Sequence, residues 1–225
     1  MQNQTMKNIE AVLFDLDGVL VDTAKYHYQS WKAIAEKWDL NLTPQANENL
    51  KGLSRKDSLL QILGWADVSL SEAEFNSCLE QKNALYLSLI ASLSPQDLLP
   101  GVTDWLQFLT QNQYKIGLGS ASKNASAILT KLEILHYFET LVDGNQVQLG
   151  KPNPEVFLLG SEKLGVSAVN CLVVEDSIAG IEAAKRAQMK TLAIGNPTHF
   201  QQADYCVASL DKLLPAQLLK TVKKN

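Results

Sequence analysis

Cysteine is scarce. The three present, Cys78, Cys171 and Cys206, are odd in number and far apart, which argues against a disulfide framework or a zinc ribbon and fits reduced, buried thiols. Charge of one sign is lacking too. Twenty lysines and arginines against 24 aspartates and glutamates leave a formal net charge of -4, and the interspersed basic residues form no stripe to neutralise nucleic-acid phosphates. No apolar run is long enough to span a bilayer, and the polar start MQNQTMKNIE has no signal-peptide core. Internal repeats and low-complexity linkers are missing as well. The expectation is a soluble, cytoplasmic monomer acting on small molecules, with no nucleic-acid or membrane partner.

What is there is enough apolar residue, 46% of 225, for one large domain or a core with an insertion. Val12, Leu13 and Phe14 read as a strand buried on both faces. Helical spacing follows over 25–38, with Tyr28, Trp31, Ala35 and Trp38 in register, and again over roughly 54–63 and 71–92, with no strand among them. From LPGV at 99–102 the pattern alternates: helix 102–112, strand 114–120, helix 124–132, short strand 140–143, helix 154–164, strand 170–176, helix 178–187, strand 190–195. Such alternation predicts an α/β fold, a doubly wound parallel-sheet (Rossmann-like) core. The helices between the first two strands form an inserted α-helical cap domain, 23–94, on a core of 1–22 and 95–225, with hinges near Thr23 and Ser94.

Ligands of such sheets lie beyond the carboxyl ends of the strands. There the first strand delivers Asp15 and Asp17, the second SASKN (120–124), the third Lys151 with Pro152, the fourth Glu175 and Asp176. Two carboxylates about 5 Å apart repel by roughly 3 kcal/mol at an effective dielectric near 20, so a cation is the simplest offset. Hard oxygen donors with no cysteine or histidine beside them suit Mg²⁺, with Asp15, Glu175 and Asp176 as the side-chain group. Ser120 and the amides after it suit phosphate oxygens, and Lys151 adds positive charge. In that setting Asp15 is a candidate nucleophile and Asp17 a candidate general acid and base. Singly these signals are weak: a lone Asp-Gly is commonly a turn, Lys151 a loop lysine, and Glu-Asp-Ser a helix cap. Their succession at four strand ends is what carries the reading.

The segments FDLDGVLVDT, GSASKN, KPNPEVF and VVEDSIAGIEAAKRA resemble the four motifs of the haloacid dehalogenase superfamily of phosphotransferases, over nearly the whole chain. Within it the chain is most similar to sugar-phosphate mutases that interconvert β-D-glucose 1-phosphate and glucose 6-phosphate through β-glucose 1,6-bisphosphate. The resemblance implies Asp15 as nucleophile and Asp17 as acid and base. It implies Mg²⁺ on Asp15, Glu175, Asp176 and the carbonyl of Asp17, with Ser120, Ala121 and Lys151 around the transferring phosphate. Arg55, Ser122, Lys123 and Asn124 would hold a distal phosphate. Thr23 and His27 would link cap closure to Asp17, while Trp31, Lys51, Gly52 and Ser58 would complete the substrate site.

Lys51 and Arg55 are four apart, on one face if their helix reaches that far, and so are His27 and Trp31. Solvated basic pairs and core aromatics are the ordinary fate of such residues. Gly119 stands where alanine is equally expected, and the loop before Lys151 is free to differ from relatives. The intact Asp15/Asp17 pair argues against a dehalogenase or a phosphonate hydrolase. A Mg-dependent sugar-phosphate phosphatase with the same core is the alternative enzyme, and a non-catalytic phosphoacceptor the alternative of another class.

Overall fold

The structure, a computed structural model, describes Met6 and residues 8–219; the expected core limits at 1 and 225 lie outside them. Six strands form one parallel sheet: β1 (Ala11–Phe14), β2 (Lys115–Gly119), β3 (Thr140–Val142), β4 (Cys171–Glu175), β5 (Lys190–Ile194) and β6 (Tyr205–Val207), in the order β3-β2-β1-β4-β5-β6. The order reverses at β1, whose Phe14 is level with Leu118 of β2 and Val174 of β4. Residues just past these three partners therefore share one edge of the sheet, at a topological switch point.

Side chains of a strand alternate between faces, and both faces are apolar here. Val12, Phe14, Ile116, Leu118, Leu172 and Val174 pack with α5 (Val102–Gln111) and α6 (Ala125–Lys131), while Ala11, Leu13, Cys171 and Val173 pack with α7 (Glu155–Leu164) and α8 (Ile178–Arg186). A short α9 (Pro215–Leu218) ends the described chain, and the Trp105 indole donates to the carbonyls of Leu210 and Leu213 just before it.

Between β1 and α5 the chain forms α1 (Ala24–Ala35), α2 (Pro44–Glu48), α3 (Arg55–Ala66) and α4 (Glu72–Leu89), and no strand of the sheet. Trp31, Ile34, Leu42, Leu59, Ile62 and Cys78 make a separate core for these helices, the cap. The end of α4 belongs elsewhere, because Tyr86, Ile90 and Leu93 are buried in the main core. The two crossings are paired: Val21 bridges antiparallel to Leu98, and the Leu99 amide donates to the Leu20 carbonyl at 3.0 Å.

Several elements depart from the expectation. Strand β6 and helices α2 and α9 were not expected, and the helix expected over 25–38 turns 3-10 after Ala35. Helix α3 begins at Arg55 with Ser54 as its N-cap, the Ser54 hydroxyl accepting from the Asp57 amide at 3.1 Å. Lys51 and Gly52 therefore lie in the preceding turn, and Lys51 shares no helical face with Arg55. Among the cysteines, all free, Cys78 and Cys171 are buried but Cys206 only half-buried.

Candidate active site

Strand β1 ends at Phe14, so Asp15 and Asp17 stand beyond the ladder rather than side by side on it. Asp15 is tied down from two sides: its amide donates to the Val174 carbonyl at 2.9 Å, and its Oδ2 accepts the Asp17 amide at 3.1 Å. Its Oδ1 accepts from Lys151 Nζ at 2.6 Å, and the same ammonium donates to Glu175 Oε1 at 2.6 Å. Glu175 Oε2 accepts the Ser177 amide and hydroxyl at 2.6 and 2.9 Å, and that hydroxyl also caps α8 through the Gly180 amide at 3.0 Å. A Cβ at Gly180 would stand 1.8 Å from Glu175 Oε1, so this carboxylate fits only over a glycine. Phe157 lies under Lys151 at 4.8 Å and against Gly119, where an added Cβ would meet the ring at 2.8 Å. That packing accounts for glycine rather than alanine at position 119.

Four acids meet a single fully buried lysine here. Burial, opposed by Lys151 and reinforced by Glu175 and Asp17, pushes Asp15 up to about 7. Burial, then Glu175 and Asp15, push Asp176 well above the carboxylate range. Lys151 is raised because Asp15 and Glu175 outweigh its own burial. Such a set lacks positive charge, and a divalent cation would supply it. Among the described residues no three His, Cys, Asp or Glu side chains converge as a ready-made cage. The carboxylates that line the cleft and could hold an ion are Asp15 and Asp176, with Asp17 beside them. That sparse oxygen set fits Mg²⁺, which keeps several waters and takes one or two carboxylates.

Asp17 faces the cap. Its Oδ1 accepts from the Thr23 hydroxyl at the start of α1, and His27 Nε2 is 3.8 Å away. His27 Nδ1 meets Lys82 Nζ at 2.8 Å. The other ring nitrogen, Nε2, is the one turned towards Asp17, and it is buried without a hydrogen bond. Burial, then Lys82 and Arg55, hold His27 well below its usual value. Burial raises Asp17 above the ordinary carboxylate value, the Thr23 hydrogen bond opposing it.

One cleft between cap and core is lined by Asp15, Asp17, Asp176, His27, Trp31, Lys51, Gly52, Arg55, Ser58, Ala121, Ser122, Lys123 and Asn124. Ser120 and Lys151 line an adjoining cavity that shares Arg55, Ala121 and Lys123 with it. Thr23 sits beneath Asp17, and Glu175 behind Lys151. The 120–124 loop is folded on itself, Ser120 Oγ accepting from the Ser122 amide at 3.1 Å and Ser122 Oγ from the Asn124 amide at 3.3 Å.

Sequence reasoning missed Lys82. It is 2% exposed, its ammonium 4.9 Å from the Trp31 ring and 4.6 Å from that of Tyr86. Asn83, whose side chain accepts from Asn124 across the cap–core boundary at 3.0 Å, was missed with it. A lysine and an asparagine in an 18-residue helix give no signal that separates them from a solvated face.

A family model described as haloacid dehalogenase-like hydrolase matches residues 9–188. The chain belongs to the haloacid dehalogenase superfamily. Within it, the chain is 42% identical over 207 residues to the β-phosphoglucomutase of Bacillus subtilis, covering 91% of this chain and 92% of that one. The β-phosphoglucomutase structure from Clostridium difficile superposes with a TM-score of 0.89 at 41% identity, over 91% of this chain and 93% of the other. A phosphorylated carbohydrates phosphatase of Thermotoga maritima is 30% identical over 82% of this chain and 84% of that one.

Proposed function

We propose that the chain is a β-phosphoglucomutase, an isomerase that interconverts β-D-glucose 1-phosphate and D-glucose 6-phosphate. The observation that carries this is the presence of two further cations, Arg55 and Lys123, lining the cleft that holds Asp15 and Asp17, in addition to Lys151 in the adjoining cavity. A phosphatase needs one phosphate site; a mutase working through a bisphosphate needs two.

In this reading phosphorylated Asp15 gives its phosphoryl group to the 6-hydroxyl of β-glucose 1-phosphate, and Asp17 takes the hydroxyl proton. The bisphosphate turns end for end. Its 1-phosphate returns to Asp15 while Asp17 gives the proton back to the departing oxygen. Ser120, the Ala121 amide and Lys151 hold the transferring group, and Arg55, Ser122, Lys123 and Asn124 the distal phosphate. Thr23 and His27 bring Asp17 into line as the cap seats, with Trp31, Lys51, Gly52 and Ser58 around the sugar. Mg²⁺ would be held by Asp15, the Asp17 carbonyl and Asp176, with Glu175 contributing the lone pairs that Lys151 and Ser177 leave free, and would supply positive charge against the phosphoryl oxygens. A closed cap excludes the water that would otherwise hydrolyse phosphorylated Asp15.

The proposed division is a core of 1–22 and 95–225 and a cap of 23–94; the paired crossing at Val21 and Leu98 supports it. No helix among the described residues is long and apolar enough to cross a membrane, in keeping with a cytoplasmic monomer acting on free sugar phosphates. The test is incubation with Mg²⁺, β-glucose 1-phosphate and a trace of the 1,6-bisphosphate, following glucose 6-phosphate and inorganic phosphate together. Glucose 6-phosphate with little free phosphate is expected. Free phosphate as the main product would leave the Asp15/Asp17 chemistry standing but make the enzyme a phosphatase.

A further inference from the structure

The turn that carries Lys51 is where the cap rests on the core. Gly52 has φ +75°, and a Cβ there would stand 2.5 Å from Ser177 Oγ, so the turn lies directly on the residue after Asp176. Lys51 Nζ pairs with Glu48 Oε2 at 2.9 Å within the cap and reaches Asp176 Oδ2 at 3.8 Å in the core. The same oxygen is closed in from the other side by Gly18, where an added Cβ would come within 2.1 Å. One carboxylate oxygen is therefore held between the core's Gly18 turn and a cation borne by the cap.

Asp176 is also a carboxylate of the proposed Mg²⁺ site. An ammonium offers donors only and cannot itself ligate a metal, so Lys51 and a divalent ion draw on one carboxylate and repel each other across it. We propose that Lys51 is a cap-borne counter-cation that sets the site's affinity for its divalent ion: with the cap seated it competes for Asp176 and weakens metal binding. Coupling of two equilibria is reciprocal, so a bound divalent ion weakens the cap's hold at this corner. A sugar phosphate under the cap gives Lys51 another anionic partner, and only then do metal and closed cap cease to oppose each other. The inference rests on the reading of Asp176 as a metal ligand.

Mn²⁺ is the probe, titrated without sugar phosphate and followed by the electron paramagnetic resonance of the free ion, for the wild type and for Lys51→Met, Lys51→Arg and Asp176→Asn. Lys51→Met keeps the apolar stem and removes the charge; it should bind Mn²⁺ about three- to tenfold more tightly, the change expected for one half-exposed charge. Lys51→Arg should resemble the wild type. Equal or weaker binding by Lys51→Met overturns the proposal while leaving the metal site intact. Asp176→Asn should lose at least about tenfold in affinity, as when a charged ligand is removed; undiminished binding there would overturn the ligand reading itself, and the proposal with it.

Discussion

A lysine in the middle of an exposed-looking helix is ordinarily solvated, yet Lys82 is sealed between two aromatic rings and His27. Burial, with Arg55 adding to it and Asp17 opposing, brings its amine down to about 7 from the ordinary 10.5. Below about pH 7 the charge is present in both the folded and the unfolded chain, and its burial weighs fully against folding. Between that value and 10.5 the unfolded chain binds the proton and the folded chain does not, so stability climbs with pH. Lys82→Met should therefore melt above the wild type by the widest margin at or below pH 7, with the gap closing towards pH 10; thermal scans across that range check it, and a constant gap would mean that charge is not the cause. Its mutase turnover should fall, because His27 loses the partner that turns its Nε2 towards Asp17. For Arg55 the readout is selectivity. A hydrogen bond to a charged group contributes about 1.5–3 kcal/mol, so Arg55→Ala should lower mutase turnover at least about tenfold more than hydrolysis of a small phosphate ester, which has no distal phosphate to grip. Equal losses in the two assays would return Arg55 to a general role in the cap.

At the scale of elements, most of the frame is legible because burial leaves a periodic trace. β1 and β4 are continuous apolar runs ending in acids, and a parallel sheet buried on both faces demands that pattern. β6 carried too little pattern, being three half-buried residues at an edge. Helix α2 has five residues, too few for a period, although Thr43 and Pro44 are ordinary start signals. Lys51 was placed by spacing alone, and spacing could not reveal that Ser54 caps α3, which starts at Arg55, four residues after Lys51. The strand-end residues were readable as one group since strand ends converge by topology. The Lys82–His27 contact was not, because it joins two helices distant in sequence. Ser177 joins two elements in one hydroxyl, capping α8 and holding Glu175, the carboxylate that steadies Lys151. Losing an N-cap costs about 0.5–2 kcal/mol and a buried bond to a charged group about 1.5–3. Ser177→Ala should then lower the melting temperature by roughly 4–20 °C for a chain of this size and slow phosphorylation of Asp15. Calorimetry and a phosphoenzyme burst measure the two effects, and an unshifted melt would remove Ser177 from this account.

Across the whole molecule the cap and the sheet have separate cores, bridged by the end of α4. Three of the four tryptophans, Trp31, Trp38 and Trp65, lie in the cap, and Trp105 alone is in the core. Fluorescence therefore reports chiefly on the cap and far-ultraviolet circular dichroism on the whole chain. Leu59→Ala, at a fully buried position of the cap core, should cost about 2–5 kcal/mol. The loss should appear as a fluorescence transition that precedes the circular-dichroism transition; coincident transitions would show that the cap and core unfold as one unit.

The paired crossing has a consequence for how such a molecule can be altered. Because Leu20 and Leu99 are hydrogen-bonded neighbours, the two crossings run side by side, and the cap helices are inserted at that one join, with the end of α4 reaching back into the main core. Asp15, Asp17, Glu175, Asp176 and Lys151 stay on the sheet's side of that join, while Arg55, His27 and Lys82 lie beyond it. On the proposed reading the groups that transfer the phosphoryl and the groups that select the ester lie on opposite sides of that join, so a different helical segment grafted there should change which phosphate ester is accepted and leave the transfer groups in place.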